Sequence, residues 1–224
     1  MYLNANCELL VYWVLLVANC KFSHPIKQML YNHTMLPSYF AIIAAIVSSL
    51  GTLYYFYETL KGKAQPNRVT WILWAIFPMI IFFAQRSQNT GVMSIISLSA
   101  GVLALLVFTA SLFNKKSYWK TKPFDYACLV LAIIGMVLWW LSKDANVAIV
   151  FAILADGLAA APTIKKAYLH PNSESWQAYA LSALGFFIGI LAIQKWDFTN
   201  YAFVIYLFAL NGLIALLAAK KPKQ

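Results

Sequence analysis

Seven long runs of apolar residues, almost free of charge, make up most of this chain. They span 38–57, 69–85, 91–113, 126–141, 145–164, 175–194 and 198–219. A helix needs about 20 apolar residues to cross the hydrocarbon core of a bilayer. Of the 224 residues 62% are hydrophobic and 11% charged, whereas soluble domains are about a quarter charged. Since no run alternates like a barrel strand, the sequence predicts an all-α, polytopic membrane protein with seven transmembrane helices.

Lysine and arginine are distributed unevenly between the loops. Every second loop carries a basic cluster, and the loops between them carry one basic residue each. The clusters are Lys61, Lys63 and Arg68; Lys115, Lys116, Lys120 and Lys122; Lys165 and Lys166; and Lys220, Lys221 and Lys223. Basic loops stay in the cytoplasm. The first span is therefore predicted to start outside, and the tail, 220–224, to lie in the cytoplasm beneath an inner (plasma) membrane.

The net charge of +10 comes from these loop clusters, so it does not indicate binding to nucleic acid. Residues 1–37 are expected to form an N-terminal extension. Its apolar stretch, Leu9–Cys20, is too short to cross a bilayer comfortably. Two interpretations stay open: an interfacial helix, or a natural start further downstream at Met29 or Met35.

Two loop-to-helix junctions match at a fixed offset of 105 residues. Residues 66–75 align with 171–180, and Pro, Asn, Trp and Ala recur at the same spacing. The motif residues are Pro66, Asn67 and Trp71 in the first copy, and Pro171, Asn172 and Trp176 in the second. Each copy opens the second helix of a group of three. The sequence therefore predicts two parallel three-helix repeats, 38–113 and 145–219, joined by a linker and connecting helix in 114–144: a 3+1+3 architecture.

Each motif has a local physical interpretation. Proline makes the loop exit rigid, and Asn or Ser/Thr can cap the start of the helix. For Trp71 and Trp176 the favoured interpretation is an anchor at the lipid headgroups. Trp74 and Tyr179 lie one turn deeper, so they are candidates for the wall of a solute cavity, with packing between helices as the alternative.

The 3+1+3 arrangement resembles the SWEET-like, PQ-loop superfamily of membrane proteins. Pro162-Thr163 resembles the Pro-Gln pair of that family, and Tyr57-Glu58 stands at the aligned position of the first repeat. The run Lys61-Gly62-Lys63, followed by Pro66 and Trp71, is similar to small uncharacterised prokaryotic members. The resemblance implies transport of a small polar solute (a sugar, an amino acid or a vitamin-like molecule) and implies that such prolines act as hinges.

Two prolines fall inside predicted spans. Pro162 removes the hydrogen bond to the carbonyl of Leu158 and is expected to bend its helix, and Pro78 is expected to kink the second span. Both are therefore candidate hinges. The segment 155–161 is rich in Ala and Gly, which either lets a neighbouring helix approach closely or leaves room for a solute.

Asp156 is the only charge well inside a predicted span, near the bilayer centre, where a carboxylate costs at least about 2.5 kcal/mol. It is predicted to accept a hydrogen bond from a solute or to couple transport to protons. The alternative is a neutral acid bonded to Ser48 or Ser49. Asn211 lies at a similar depth and is a second candidate solute ligand, with an interhelical hydrogen bond as the alternative. Gln85 and Gln194 are expected to be solvated at the outer surface.

The leading functional prediction is a small-solute transporter in the lipid bilayer. The alternative is a non-transporting receptor or interaction protein with the same fold. An enzyme is disfavoured because no acid–base or nucleophile–base set is visible, and the scattered Cys and His residues predict neither a metal site nor a cofactor. Assembly into a homo-oligomer stays open.

Overall fold

A computed structural model describes residues 36–113, 123–142 and 145–220. Within these ranges the chain forms seven α-helices and no strand. They are α1 (Phe40–Leu60), α2 (Arg68–Ser87), α3 (Ser94–Phe113), α4 (Pro123–Ser142), α5 (Ala145–Leu169), α6 (Trp176–Leu191) and α7 (Phe198–Ala218). The predictions for the N-terminal extension, the lysines of 115–122 and Lys143, and those of the tail beyond Lys220 lie outside the described residues.

Among the described residues, five helical segments are long and apolar enough to cross a membrane. They are Phe40–Leu60, Arg68–Ser87, Gly91–Phe113, Asn146–Leu169 and Phe198–Ala218. Helix α6 has 16 residues, or about 24 Å, whereas the hydrocarbon core is about 30 Å thick. The predicted span 175–194 is therefore wrong at its C-terminal end, because the helix stops at Leu191. Many large apolar side chains outside the core are exposed, among them Phe113 and Leu216, as expected for contact with lipid.

Six of the seven described helices pack around a shared core. Helix α3 packs against both α1 and α2, and α7 packs against both α5 and α6. Helix α1 also packs on α6 and α2 on α5, while α4 packs mainly on α5. The buried core therefore consists of side chains from α1, α2, α3, α5, α6 and α7.

Two glycines bring α1 and α6 close together. A Cβ added to Gly185 would lie 2.7 Å from the Cα of Ser48, and one added to Gly51 would lie 2.6 Å from the carbonyl oxygen of Ala178. Real Cβ atoms do not approach other atoms so closely, so only glycine fits at these positions. Small residues on facing helices permit this contact in membranes.

The loop before α2 and the loop before α6 lie together at one end of the bundle. The Gln65 amide donates a hydrogen bond to the carbonyl of Ser173, with 3.1 Å between nitrogen and oxygen. We call this end, formed by residues 61–67 and 170–175, the basic end. Lys165 and Lys166 were predicted to lie in a loop, but α5 continues to Leu169 and includes both.

Candidate functional site

A cavity lies inside the helical bundle, and its lining residues come from α1, α2, α3, α5, α6 and α7. Its volume is about 60 Å³, and a single water needs about 10–15 Å³ on the same scale. The cavity therefore has room for several waters or a small solute. Its wall consists of Gly51, Thr52, Tyr55, Trp71, Trp74, Pro78, Ala100, Ala104, Asp156, Ala178, Tyr179, Ser182, Phe186, Leu207, Leu210 and Asn211.

All four predicted solute ligands line this one cavity. Trp74 comes from α2, Asp156 from α5, Tyr179 from α6 and Asn211 from α7. Of the other predicted site residues, Pro78 and Trp71 also line it. Pro162 and the remaining motif residues, Pro66, Asn67, Pro171, Asn172 and Trp176, lie outside its wall.

Asp156 sits at the middle of α5, eleven residues after Ala145 and thirteen before Leu169, and is fully buried. Its Oδ2 atom accepts a hydrogen bond from the Tyr206 hydroxyl at 2.6 Å. Its Oδ1 atom has no hydrogen-bond donor among the described residues. The alternative interpretation was a bond to a hydroxyl such as that of Ser48 or Ser49; the hydroxyl is that of Tyr206, and the Ser48 hydroxyl donates instead to the carbonyl of Ala45. One oxygen of Asp156 is thus free to accept a hydrogen bond from a molecule in the cavity.

Asn211 is half-buried, and its side-chain amide donates to the carbonyl of Leu207 at 2.8 Å. This bond is within α7, so it differs from the interhelical bond considered as the alternative. The hydroxyls of Thr52 and Ser182 also donate to a backbone carbonyl, that of Ser48. These three small polar side chains of the wall therefore each donate a hydrogen bond to the protein's own backbone.

Four aromatic rings form a continuous cluster along the wall. The ring centroids of Trp74 and Trp71 are 5.2 Å apart, those of Trp71 and Tyr55 4.7 Å, and those of Tyr55 and Tyr179 5.5 Å. The indole N–H groups of Trp71 and Trp74 are buried and have no acceptor among the described residues. We call these four residues the aromatic wall. It brings four aromatic rings and two N–H donors to the cavity.

At the basic end the aromatic wall is tied to a buried ion pair. The hydroxyls of Tyr55 and Tyr179 donate to Oε2 of Glu174 at 2.7 and 3.3 Å, and Oε1 of Glu174 lies 2.6 Å from Nζ of Lys166. Lys166 also donates to the carbonyl of Gln65, in the other loop of that end. The two carboxylate oxygens therefore hold α1, α5, α6 and both loops together.

The two copies of the motif differ in structure. The Asn67 side chain caps α2 as predicted, accepting bonds from the amides of Val69 and Thr70. Asn172 is exposed, and no side chain caps α6. Trp71 is only 4% exposed, so its interpretation as a headgroup anchor is wrong, whereas Trp176 is 45% exposed.

Polar contacts also surround Pro162 and the far end of the bundle. The hydroxyl of Thr70 donates to the carbonyl of Ala159 at 2.7 Å. The neighbouring carbonyl, that of Leu158, lacks its helical donor because Pro162 has no N–H. Helix α5 runs through Pro162, and α2 runs through Pro78.

Gln85 was predicted to be solvated at the outer surface, but it is buried. Its side chain donates a hydrogen bond to the carbonyl of Thr199 and accepts one from the hydroxyl of Ser97.

Sequence reasoning missed Tyr55, Lys166, Glu174 and Tyr206 as members of the site. One signal was available for Glu174, which stands within the second motif where the first has Val69. The two copies of the motif therefore differ in charge at this position, and such a difference is visible in the sequence. Tyr55 and Tyr206 gave no such signal, because tyrosine is common throughout the spans.

The fold and the cavity define an all-helical protein with several helices fit to cross a membrane. The chain matches no protein-family model, no curated protein and no solved structure. The function has to be argued from the cavity itself. Among the described residues no group of three or more His, Cys, Asp or Glu side chains is placed to hold a metal ion.

Proposed function

We propose that this protein is a membrane transporter of a small polar solute, such as a sugar, an amino acid or a vitamin-like molecule. The observation that carries the proposal is the cavity with Asp156 in its wall. A buried carboxylate oxygen without a donor is costly in a low-dielectric interior, and an intramembrane acid marks a solute or ion pathway by default. Trp74, Tyr179 and Asn211 complete the proposed binding site.

We also propose the 3+1+3 repeat architecture and kinship with the SWEET-like, PQ-loop superfamily. The helix contacts support it, because exchanging α1, α2 and α3 with α5, α6 and α7 leaves the packing pattern unchanged. The offset of 105 supports it too. It relates Gly51 to Asp156 and Trp74 to Tyr179, and all four line the cavity. Transporters of this kind bind solute between their repeats.

Transport by alternating access needs the two proposed repeats to move against each other. Pro78 and Pro162 are the proposed hinges, and α1 and α6 stay in close contact at Gly51 and Gly185. The ion pair of Lys166 and Glu174 is the proposed gate at the basic end. For a solute to leave on that side, the bonds from Tyr55 and Tyr179 to Glu174 must break.

The proposed orientation places the basic end in the cytoplasm of a cell with this protein in its inner membrane. Single cysteines at Lys63 and Lys195, introduced after Cys7, Cys20 and Cys128 are replaced, test it. A membrane-impermeant maleimide added to intact cells should label the cysteine at position 195 and spare that at position 63. The reverse pattern would contradict the orientation.

Uptake into liposomes containing the purified protein tests the function. A panel of radiolabelled sugars, amino acids and vitamins is offered to wild type, Asp156→Asn and the control Asp197→Asn. Asp197 carries the same charge outside the cavity, and Asn keeps its role as a helix cap. We expect uptake of at least one solute, reduced by Asp156→Asn and unaffected by Asp197→Asn. Binding without uptake would point to the alternative, a non-transporting receptor; uptake unaffected by Asp156→Asn would remove Asp156 from the mechanism.

A further inference from the structure

We infer that the solute is a small organic cation that carries a neutral oxygen, held at Asp156 and the aromatic wall. This inference rests on the proposed function in one respect, that the cavity receives a solute. It goes further by naming the chemical class. Three features of the wall carry it: the sign of its charge, the free carboxylate oxygen and the arrangement of the aromatic rings.

The charge of the wall excludes one class of solute. Asp156 is the one carboxylate among the described residues that line the cavity, and none of them is Lys, Arg or His. An anion here would face a carboxylate with no positive charge to offset it, which is strongly unfavourable at low dielectric. A cation brings the charge that a fully buried carboxylate lacks.

The hydrogen bonds of the wall favour a cation over a sugar. A sugar presents several hydroxyls and needs several free donors and acceptors around it. Thr52 and Ser182 each spend their single donor on a backbone carbonyl, and Asn211 spends one of its two. The strongest acceptor left is Oδ1 of Asp156, which suits a charge-assisted bond or close contact from an ammonium group.

The aromatic wall supplies the rest of the site. Cations within about 6 Å of a ring centroid are attracted to the π face, most strongly with tryptophan. Trp74 and Trp71, with Tyr55 and Tyr179 beside them, place four rings in one contiguous cluster on the cavity wall. The indole N–H groups of Trp71 and Trp74 are donors without an acceptor among the described residues, and a hydroxyl or carbonyl oxygen of the solute would satisfy them.

Two pairs of probes with equal shape and different charge test the inference. Choline is compared with 3,3-dimethylbutan-1-ol, in which carbon replaces the charged nitrogen, and ethanolamine is compared with propan-1-ol. Glycolate and glucose represent anions and sugars. Binding to purified protein in detergent is measured from the shift in melting temperature and from quenching of tryptophan fluorescence over a concentration series. We expect one or both cations to bind, and their neutral partners, glycolate and glucose to bind at least tenfold more weakly.

Variants connect this binding to the wall. Asp156→Asn should weaken cation binding by about 10- to 100-fold, and the matched control Asp197→Asn should leave it unchanged. If Asp156→Asn fails to fold, Trp74→Leu serves instead and should weaken binding of choline, since it removes a tryptophan ring from the aromatic wall.

The outcomes separate this inference from the proposed function. Equal binding of a cation and its neutral partner, preferential binding of glucose or glycolate, or no binding of either cation would overturn the cation assignment. Uptake of a neutral solute would at the same time uphold the transporter. Cation binding that depends on Asp156 without uptake into liposomes would uphold the site and overturn the transporter.

Discussion

The ammonium of Lys166 lies 2.6 Å from Oε1 of Glu174, and both side chains are almost completely buried. The pair joins the last turn of α5 to the loop that leads into α6. Oε2 of the same carboxylate accepts from Tyr55 and Tyr179, both in the wall of the cavity. One carboxylate therefore connects the cavity to the end of the bundle.

Replacing Glu174 by Gln should strongly destabilise the protein. The substitution removes the negative charge that neutralises the buried Lys166 ammonium, and breaking a buried ion pair in this way costs about 3–5 kcal/mol. The measurement is the free energy of unfolding in detergent. The control is Asp197→Asn, which breaks the exposed contact of Asp197 with Lys195 at 3.8 Å and should cost less than about 1 kcal/mol. Equal effects of the two variants would contradict the buried pair.

If this ion pair is the gate, a second effect should follow. The double variant Lys166→Met with Glu174→Gln removes both charges and should recover part of the lost stability. It should also change the solute flux of the liposome assay, because the Tyr55 and Tyr179 hydroxyls then bond to a neutral amide. Wild-type solute flux in the double variant would show that the ion pair has a purely structural role.

Replacing Tyr206 by Phe should destabilise the protein through Asp156. The substitution removes the donor to Oδ2 and leaves both carboxylate oxygens without a described donor, at a cost of about 1–3 kcal/mol. Tyr168→Phe is the control, since Tyr168 is 62% exposed. The Tyr206→Phe, Asp156→Asn double-mutant cycle measures the coupling of the two residues. A coupling energy near zero would mean that the hydrogen bond is not formed.

Replacing Gly185 by Ala should destabilise the contact between α1 and α6. The new Cβ would lie 2.7 Å from the Cα of Ser48, so the helices must separate, and overpacking of this kind costs about 1–3 kcal/mol. Gly212→Ala is a matched control in α7, where an added Cβ has no atom within 4 Å. The control should be neutral or gain up to about 1 kcal/mol from helix propensity. Melting temperatures of the two variants compare the sites directly.

Replacing Pro162 by Ala restores the missing amide donor to the carbonyl of Leu158, which should make α5 stiffer at this point. If Pro162 is a hinge, solute flux should fall severalfold while the melting temperature stays the same or rises. Pro123→Ala, at the exposed start of α4, is the control for general effects of losing a proline. A parallel loss of stability and flux would instead assign Pro162 a structural role.

The sequence alone predicted the helical membrane character of this protein, because about 20 apolar residues in succession have few other stable environments. It also predicted that Trp74, Asp156, Tyr179 and Asn211 are functional candidates, and the structure brings these four to one cavity. Their common feature, polar or amphipathic atoms deep inside apolar spans, is visible in a linear pattern. The solute role of these residues and the repeat architecture stay predictions.

Only the tertiary structure determined which side chains form hydrogen bonds with each other. Asp156 bonds to Tyr206, fifty residues away, and Tyr55 bonds to Glu174 across 119 residues. Such contacts depend on which helices pack together and on how each helix is rotated about its axis. Apolar spans without a clear polar face show neither of these in their sequence pattern. For the same reason Lys166 and Gln85, which resemble solvated ends of spans in the sequence, are buried and hydrogen-bonded in the folded protein.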